Sequence, residues 1–216
     1  LQEHLKNAGR LAQSFASRFG GEDLGYLAGL LHDLGKYSER FQDRLQGEAP
    51  PMDHSTAGAL VAAETFQAPI ARTLAFCIAG HHAGLANGAG EGGKRSTLER
   101  RLKQVLGKDL PALADDWKSE INLPETPALP NLSSRRKDRT EFQFAFLTRM
   151  LYSCLVDADF QDTEAYYAAV EGPPVERGGF PGLGELRERL EGFLAELDAA
   201  GPVNERRREI LHTVRG

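Results

Sequence analysis

The sequence predicts an all-α fold, a helical bundle with irregular loops. Two observations carry this. Apolar residues recur at three- and four-residue steps along most of the chain, and no segment shows the alternation of a half-buried strand. The breaks between periodic segments fall at glycine and proline, the usual helix terminators.

The first helix carries Leu5, Ala8, Leu11, Ala12, Phe15 and Phe19 on one stripe and stops at Gly20-Gly21. A second runs from about Leu24 to Asp33 and meets Gly35. After Pro50-Pro51, Asp53 or Ser55 is placed to cap a helix through about Phe66. Another extends from about Ile70 to His82. The glycine-rich stretch Leu85–Ser96 reads as a mobile loop. Leu98–Leu106 and Leu113–Ile121 read as short helices. A proline-rich segment, Pro124 to Pro130, leads into the charged run Arg135–Arg139. The longest helix is expected from Thr140 to Phe160. After a loop around Gly172–Gly182, Leu183–Leu197 and Val203–Val214 read as two more. No internal repeat is apparent.

The 216 residues suffice for an ordinary domain core, and 41% hydrophobic with 26% charged residues is a globular balance. No apolar run reaches the roughly 20 residues of a membrane helix. Cys77 and Cys154 sit singly in apolar stretches, which suits core thiols in a reducing cytoplasm. The net charge of −5 argues mildly against a polyanionic partner, although two divalent metals would bring it to −1.

The chemical signal lies in the six histidines, His4, His32, His54, His81, His82 and His212. His32-Asp33 and His81-His82 are adjacent pairs, each ending an apolar helical run, and each is followed by x-Gly, at Gly35 and Gly84. Neighbours on a regular helix diverge, but at a terminus the backbone changes course and they can converge. The partial negative charge of a helix C-terminus also favours a cation. His4 lies beside Leu5 on an apolar face, where a buried imidazole needs partners. His54 lies at a helix start, in Asp53-His54-Ser55, where capping explains Asp53 and Ser55 equally well. Asp157 and Asp159 close the expected long helix, as a solvated end or as acids answered by a cation. Gly88 to Arg95 nearly spells a phosphate-binding loop. It lacks the final Ser or Thr and a preceding strand.

The stretch LAGLLHDLGK resembles the signature of the HD superfamily. The ordered set EHLKNAGRLAQSFA, LLHDLGKYSERFQ, DHSTAGA, IAGHHAGL and SCLVDADFQDTE, spanning residues 3 to 164, is similar to the HD nuclease domain of the CRISPR-associated nuclease–helicases of type I systems. VNERRREIL resembles the connector leading into that family's helicase. The segment from Leu85 to Lys137 matches nothing specific.

The resemblance implies an HD-domain bundle over residues 1–200 and a connector helix over 201–216 towards a helicase outside this chain. It implies two divalent metal ions, of the transition series (Mn, Co, Ni or Fe) with Mg as the alternative. One would be held by His4, His32, Asp33 and Asp159. The other would be held by His54, His81 and His82, with Asp33 bridging. Asp159 is preferred to Asp157 because the superfamily's last acid sits in an Ala-Asp pair. Asp33 and Lys36 would be catalytic, Lys36 touching a phosphate oxygen, although an ordinary exposed lysine fits that position as well. The implied activity is hydrolysis of single-stranded DNA, with the two metals activating water and stabilising the attacking and leaving oxygens. The implied partners are the strand, the helicase and an RNA-guided surveillance complex, with no membrane. Lys94, Arg95, Arg100, Arg101, Lys103 and the Arg135–Arg139 run are candidate backbone contacts, each also explicable as solvated surface. Two other functions fit the same motifs. One is an HD phosphohydrolase of small nucleotides, which needs a closed pocket. The other is a non-catalytic HD binding module, which ordinarily loses the His-Asp pair.

Overall fold

A computed structural model describes residues 1–90, 97–132, 137–173, 177–197 and 200–215. Among these the regular structure is helical: α1 (Gln2–Ala16), α2 (Glu22–Leu31), α3 (Glu39–Leu45), α4 (Ser55–Thr65), α5 (Ile70–Gly80), α6 (Leu98–Leu102), α7 (Asp116–Glu120), α8 (Thr140–Glu171), α9 (Leu183–Glu196) and α10 (Pro202–Arg215), with 3₁₀ turns at Ser17–Phe19, Leu34–Tyr37 and Lys137–Arg139. The all-α expectation is met. The chain divides into two compact units, Leu1–Pro174 and Val175–Gly216. The second contains α9 and α10, where the sequence pattern places them. None of the described helices is long and apolar enough to cross a membrane.

In the first unit α1 packs on α2 and α8, and α4 packs on α5, which also meets α8. Leu24, Leu27, Leu31, Leu74, Cys77, Ile78, Leu151 and Leu155 fill the space between them. Burial raises the Cys77 thiol above its usual range, with Cys154 nearby adding to the effect, so Cys77 is an inert core group.

Small residues fix the register of α1 on α2. A Cβ at Gly25 would lie 2.5 Å from the Ala12 carbonyl oxygen, and one at Gly29 would lie 2.5 Å from Gly9 Cα. The helices, turned back on each other through Gly20 at φ 73°, therefore approach backbone to backbone. With Ala12 opposite Gly25 and Gly9 opposite Gly29, the next contact along the pair is His4 opposite His32. Two other glycines serve the same end. A side chain at Gly58 would collide with the Leu31 carbonyl, and one at Gly35 with the His54 backbone.

Four differences from the sequence expectation bear on the site. The second helix ends at Leu31, and His32-Asp33 form the hinge into the 3₁₀ turn. The short helix α3 follows that turn and has no counterpart in the sequence reading. The short helices α6 and α7 stop before the expected ends, at Leu102 and Glu120. The long helix continues through Phe160 to Glu171, because residues 161–171 contain no glycine or proline and Gly172-Pro173-Pro174 supply the stop. Asp157 and Asp159 consequently lie in mid-helix, and the helix-terminus argument does not apply to them.

The Gly58 crossing generates a stability test. Gly58→Ala forces a methyl group onto the Leu31 carbonyl, and overpacking of this kind costs about 2 kcal/mol. Denaturant unfolding of the variant is expected to show that loss. A change under about 0.5 kcal/mol would mean that α2 and α4 separate freely.

Candidate metal centre

Five of the six histidines and two acids converge beneath the ends of α2 and α5. The arrangement is centred on Asp33, which is 1% exposed. Its two oxygens face opposite ways. Oδ2 lies 3.7 Å from His4 Nε2 and 3.5 Å from His32 Nε2. Oδ1 lies 3.2 Å from His54 Nε2, 3.4 Å from His81 Nε2 and 4.0 Å from His82 Nε2. Asp159 joins the first group, with Oδ1 3.4 Å from His4 Nε2 and 3.5 Å from His32 Nε2. The two groups, His4-His32-Asp33-Asp159 and Asp33-His54-His81-His82, thus share one carboxylate.

The ring tautomers are set from behind. His32 and His81 each donate Nδ1–H to the carbonyl three residues back, Gly29 O at 2.8 Å and Ile78 O at 2.7 Å. These carbonyls lie at the frayed C-terminal turns of α2 and α5, where they are not all consumed within the helix. His4 donates Nδ1–H to Asp162 Oδ2 at 2.7 Å. All three rings therefore turn Nε2 inward.

The inward atoms demand a cation. His4 Nε2 and His32 Nε2 are 3.3 Å apart, and His54 Nε2 and His82 Nε2 are 2.9 Å apart. With Nδ1 of both His4 and His32 committed outward, the first contact is reconciled only by a proton or a cation between the two Nε2 atoms. Asp33 Oδ1 and His81 Nε2 are buried and have no hydrogen-bond partner. Buried polar atoms are rarely left so. Ligands about 2.0–2.2 Å from one ion stand about 3.0–3.5 Å from each other, which is the spacing seen here. The residues fit two divalent ions sharing Asp33.

Electrostatics agree. Burial disfavours charge on Asp33, but the adjacent His32 and the facing imidazoles of His4, His54 and His81 hold it well below the carboxylate range. Asp159 is likewise held low by His32 and His4 against its own burial. Hydrogen bonding to Asp159, then Asp33, raises His4 to about 10, while partial burial and His81 lower His82 to about 4. The first group is thus the one with two carboxylates. Metal and proton compete for its His4 nitrogen, so affinity there falls as pH falls.

Lys36 Nζ contacts Asp33 Oδ2 and lies 5.8 Å from the Phe41 ring centre, so the ammonium stands at the edge of the first group. Asp157 is not part of the cluster; its carboxylate accepts a hydrogen bond from Gln161. His212 lies on α10 in the second unit.

Two contributors were not legible in the sequence reading. Asp162, which orients His4, lies three residues beyond Asp159 and so on the same helix face, a relation that becomes visible once α8 is known to continue. Arg101, by sequence a candidate backbone contact or solvated surface, is turned inward. Its Nη2 donates to Asp53 Oδ2 at 3.0 Å and Ser55 Oγ at 2.9 Å, its Nε to Thr56 Oγ1 at 2.6 Å, and its Nη1 to the Ala79 carbonyl. One guanidinium thereby ties the start of α4, which carries His54, to the end of α5, which carries His81 and His82. Asp53 completes the clamp, accepting from the Ser55 and Thr56 amides at 3.1 and 3.0 Å. Its role is the capping one. Of the other basic residues considered, Lys103 pairs with Glu99 at 2.8 Å, and Lys94, Arg95, Arg135 and Arg136 lie outside the described residues.

Two tests follow from this geometry. His4→Ala is expected to deplete mainly one metal, and His81→Ala with His82→Ala mainly the other, by metal analysis of purified protein. Unchanged metal in the double variant would remove the paired histidines from the site. Arg101→Ala leaves every proposed ligand in place. It is expected to weaken metal binding at the His54-His81-His82 group roughly 10- to 100-fold in calorimetric titration. Unaltered affinity would show that α4 and α5 hold their spacing without it.

No curated protein gives a significant match to the chain. The family model for the HD domain matches residues 1–109, just over half of the sequence. The matched region supplies His4, His32, Asp33, His54, His81 and His82, and Asp159 comes from beyond it. HD domains are in general metal-dependent phosphohydrolases, the chemistry that imidazoles converging on a shared buried carboxylate can serve. On this match and this geometry, the chain belongs to the HD family.

Proposed function

We propose that the chain is a metal-dependent nuclease that hydrolyses phosphodiester bonds of single-stranded DNA, as the HD nuclease domain of a type I CRISPR-associated nuclease–helicase. The observation that carries the reading is that the residues of the five ordered motifs supply one assembly. EHLKNAGR contributes His4, LLHDLGK contributes His32, Asp33 and Lys36, DHSTAGA contributes His54, IAGHHAGL contributes His81 and His82, and SCLVDADFQDTE contributes Asp159 and Asp162. A binding module that had lost catalysis would not be expected to keep this complete set.

Bound divalent ions would supply Lewis acidity towards the phosphoryl oxygens and a water of lowered pKa. Asp33, common to both groups, would be a ligand of both ions. His4, His32 and Asp159 would complete one shell, and His54, His81 and His82 the other. His32 and His81 keep their Nε2 atoms aimed because their Nδ1 protons are committed to backbone carbonyls. Lys36, at the edge of the first group, would leave Asp33 for a non-bridging phosphate oxygen and so orient the scissile group. An imidazole-rich donor set favours Mn²⁺, Co²⁺, Ni²⁺ or Fe²⁺ over Mg²⁺.

A strand rather than a small nucleotide is favoured by access. His82 is half exposed at one side of the cluster, and a cleft of about 520 Å³ opens on the other side beside His4 and Lys36. In the proposed assembly a helicase, joined through the connector helix over 201–216, would supply the unwound strand of the RNA-guided surveillance complex's target to this centre.

The test uses circular single-stranded DNA and deoxynucleotides in parallel, with Mn²⁺, Co²⁺ or Ni²⁺ added or chelated. The expected result is metal-dependent cutting of the circle, little cutting of intact duplex, and loss of at least 10³-fold in Asp33→Ala with the helical circular dichroism retained. Phosphate release from nucleotides without cutting of the strand would support the nucleotide phosphohydrolase instead. Full activity in a thoroughly chelated sample would overturn both.

A further inference from the structure

The cleft beside the first metal group has chemistry that the ligand set does not use. Its walls include His4, Lys36, Asn7, Thr163, Tyr166 and Tyr167. Asp159, Asp162 and Tyr166 are spaced three and four residues apart on α8, so they lie on one helix face. Tyr166 therefore stands about 10 Å along the axis from Asp159, at 1.5 Å per residue.

Both tyrosines are uncovered within this unit, Tyr166 at 66% and Tyr167 at 54% exposure. Their rings meet edge to face, with centroids 5.7 Å apart and planes at 78°. Exposed rings in the cleft beside the first group offer a face that a ligand can cover. The charge pattern says what. Lys36 marks the phosphate end, whereas Glu3 and Asp162 also line the cleft and disfavour a second phosphate near the rings. The group suited to the tyrosine end is aromatic, planar and uncharged.

We propose that Tyr166 and Tyr167 form a stacking subsite for the nucleobase adjoining the phosphate held at the metal centre. This rests on the phosphodiesterase reading above and specifies it: the enzyme grips a base as well as a backbone, without reading sequence, because every base offers a π-face.

The experiment measures binding of short single strands to the intact chain in chelator, where hydrolysis cannot consume the probe. One hexanucleotide carries a fluorescent base analogue, and a second carries abasic sites around a distal label. The wild type is expected to bind the base-bearing strand roughly tenfold or more tightly than the abasic one. Tyr166→Ala with Tyr167→Ala is expected to bring that ratio close to one, and Tyr166→Phe with Tyr167→Phe to restore it. The Phe variants keep the test decisive if the Ala variant folds poorly. A deoxynucleoside monophosphate in competition separates the sources of the base: displacement only at far higher concentration than the strand supports a strand subsite, and equal potency overturns it. A wild-type ratio of one, or a ratio unchanged in the Ala variant, overturns the subsite. Neither result depends on cleavage, so failure of the nuclease reading in the circular-DNA assay stays separate from failure here.

Discussion

The Asp33 carboxylate is buried to 1% exposure with one oxygen unpaired, and five imidazoles are directed at it. An isolated buried carboxylate is strongly disfavoured, and so are imidazole lone pairs held about 3 Å apart. In the metal-free protein, protons and the Lys36 ammonium offset part of this cost. Divalent cations offset it more completely, because they answer the lone pairs and the carboxylate at once. The rest of the first unit can be understood as backbone arranged to hold that unfavourable set of donors together until a cation arrives. Binding of metal to such a site adds directly to the stability of the fold.

The holding is done by close backbone approach more than by side-chain packing. Small residues between α1 and α2 leave no slack in register, so His4 is delivered opposite His32. Gly35 lets the turn after Asp33 lie against the backbone of His54, and Gly58 lets α4 cross the end of α2. Substituting any of these glycines displaces a ligand-bearing segment rather than merely crowding a core. Arg101 and Asp162 act at the next remove, one tying two backbone segments together and the other fixing a single ring.

The sequence made the donors legible but not their braces. Two His-containing pairs at the ends of apolar runs, each before x-Gly, pointed to a cation site from residue chemistry alone. The division of the ligands into two groups came from the family resemblance, and the geometry has the same division. The sequence pattern puts Asp159 at a helix end, whereas it lies mid-helix and is answered by His4 and His32 instead. Asp162 went unnoticed because its relation to His4 spans 158 residues and no local pattern announces it. Arg101 sits in a run of basic residues, where a surface reading is the natural one. Only its contacts with the start of α4 and the end of α5 distinguish it from its neighbours.

The two donor groups draw on different parts of the chain. His4, His32 and Asp159 come from α1, the end of α2 and α8, while His54, His81 and His82 come from α4 and α5. Asp33 is the residue they share, and it stands in the hinge between α2 and the following turn. The two groups can therefore be tuned separately: the first by the acids of α8, which face His4, and the second by the Arg101 clamp, which ties α4 to the end of α5. Chemistry at phosphorus that needs charge on two sides would then depend on Asp33 twice over, as a ligand in each group and as the bond that keeps both at a fixed separation. A buried carboxylate in a hinge is an expensive structural choice, and this double role is the physical reason for keeping it there.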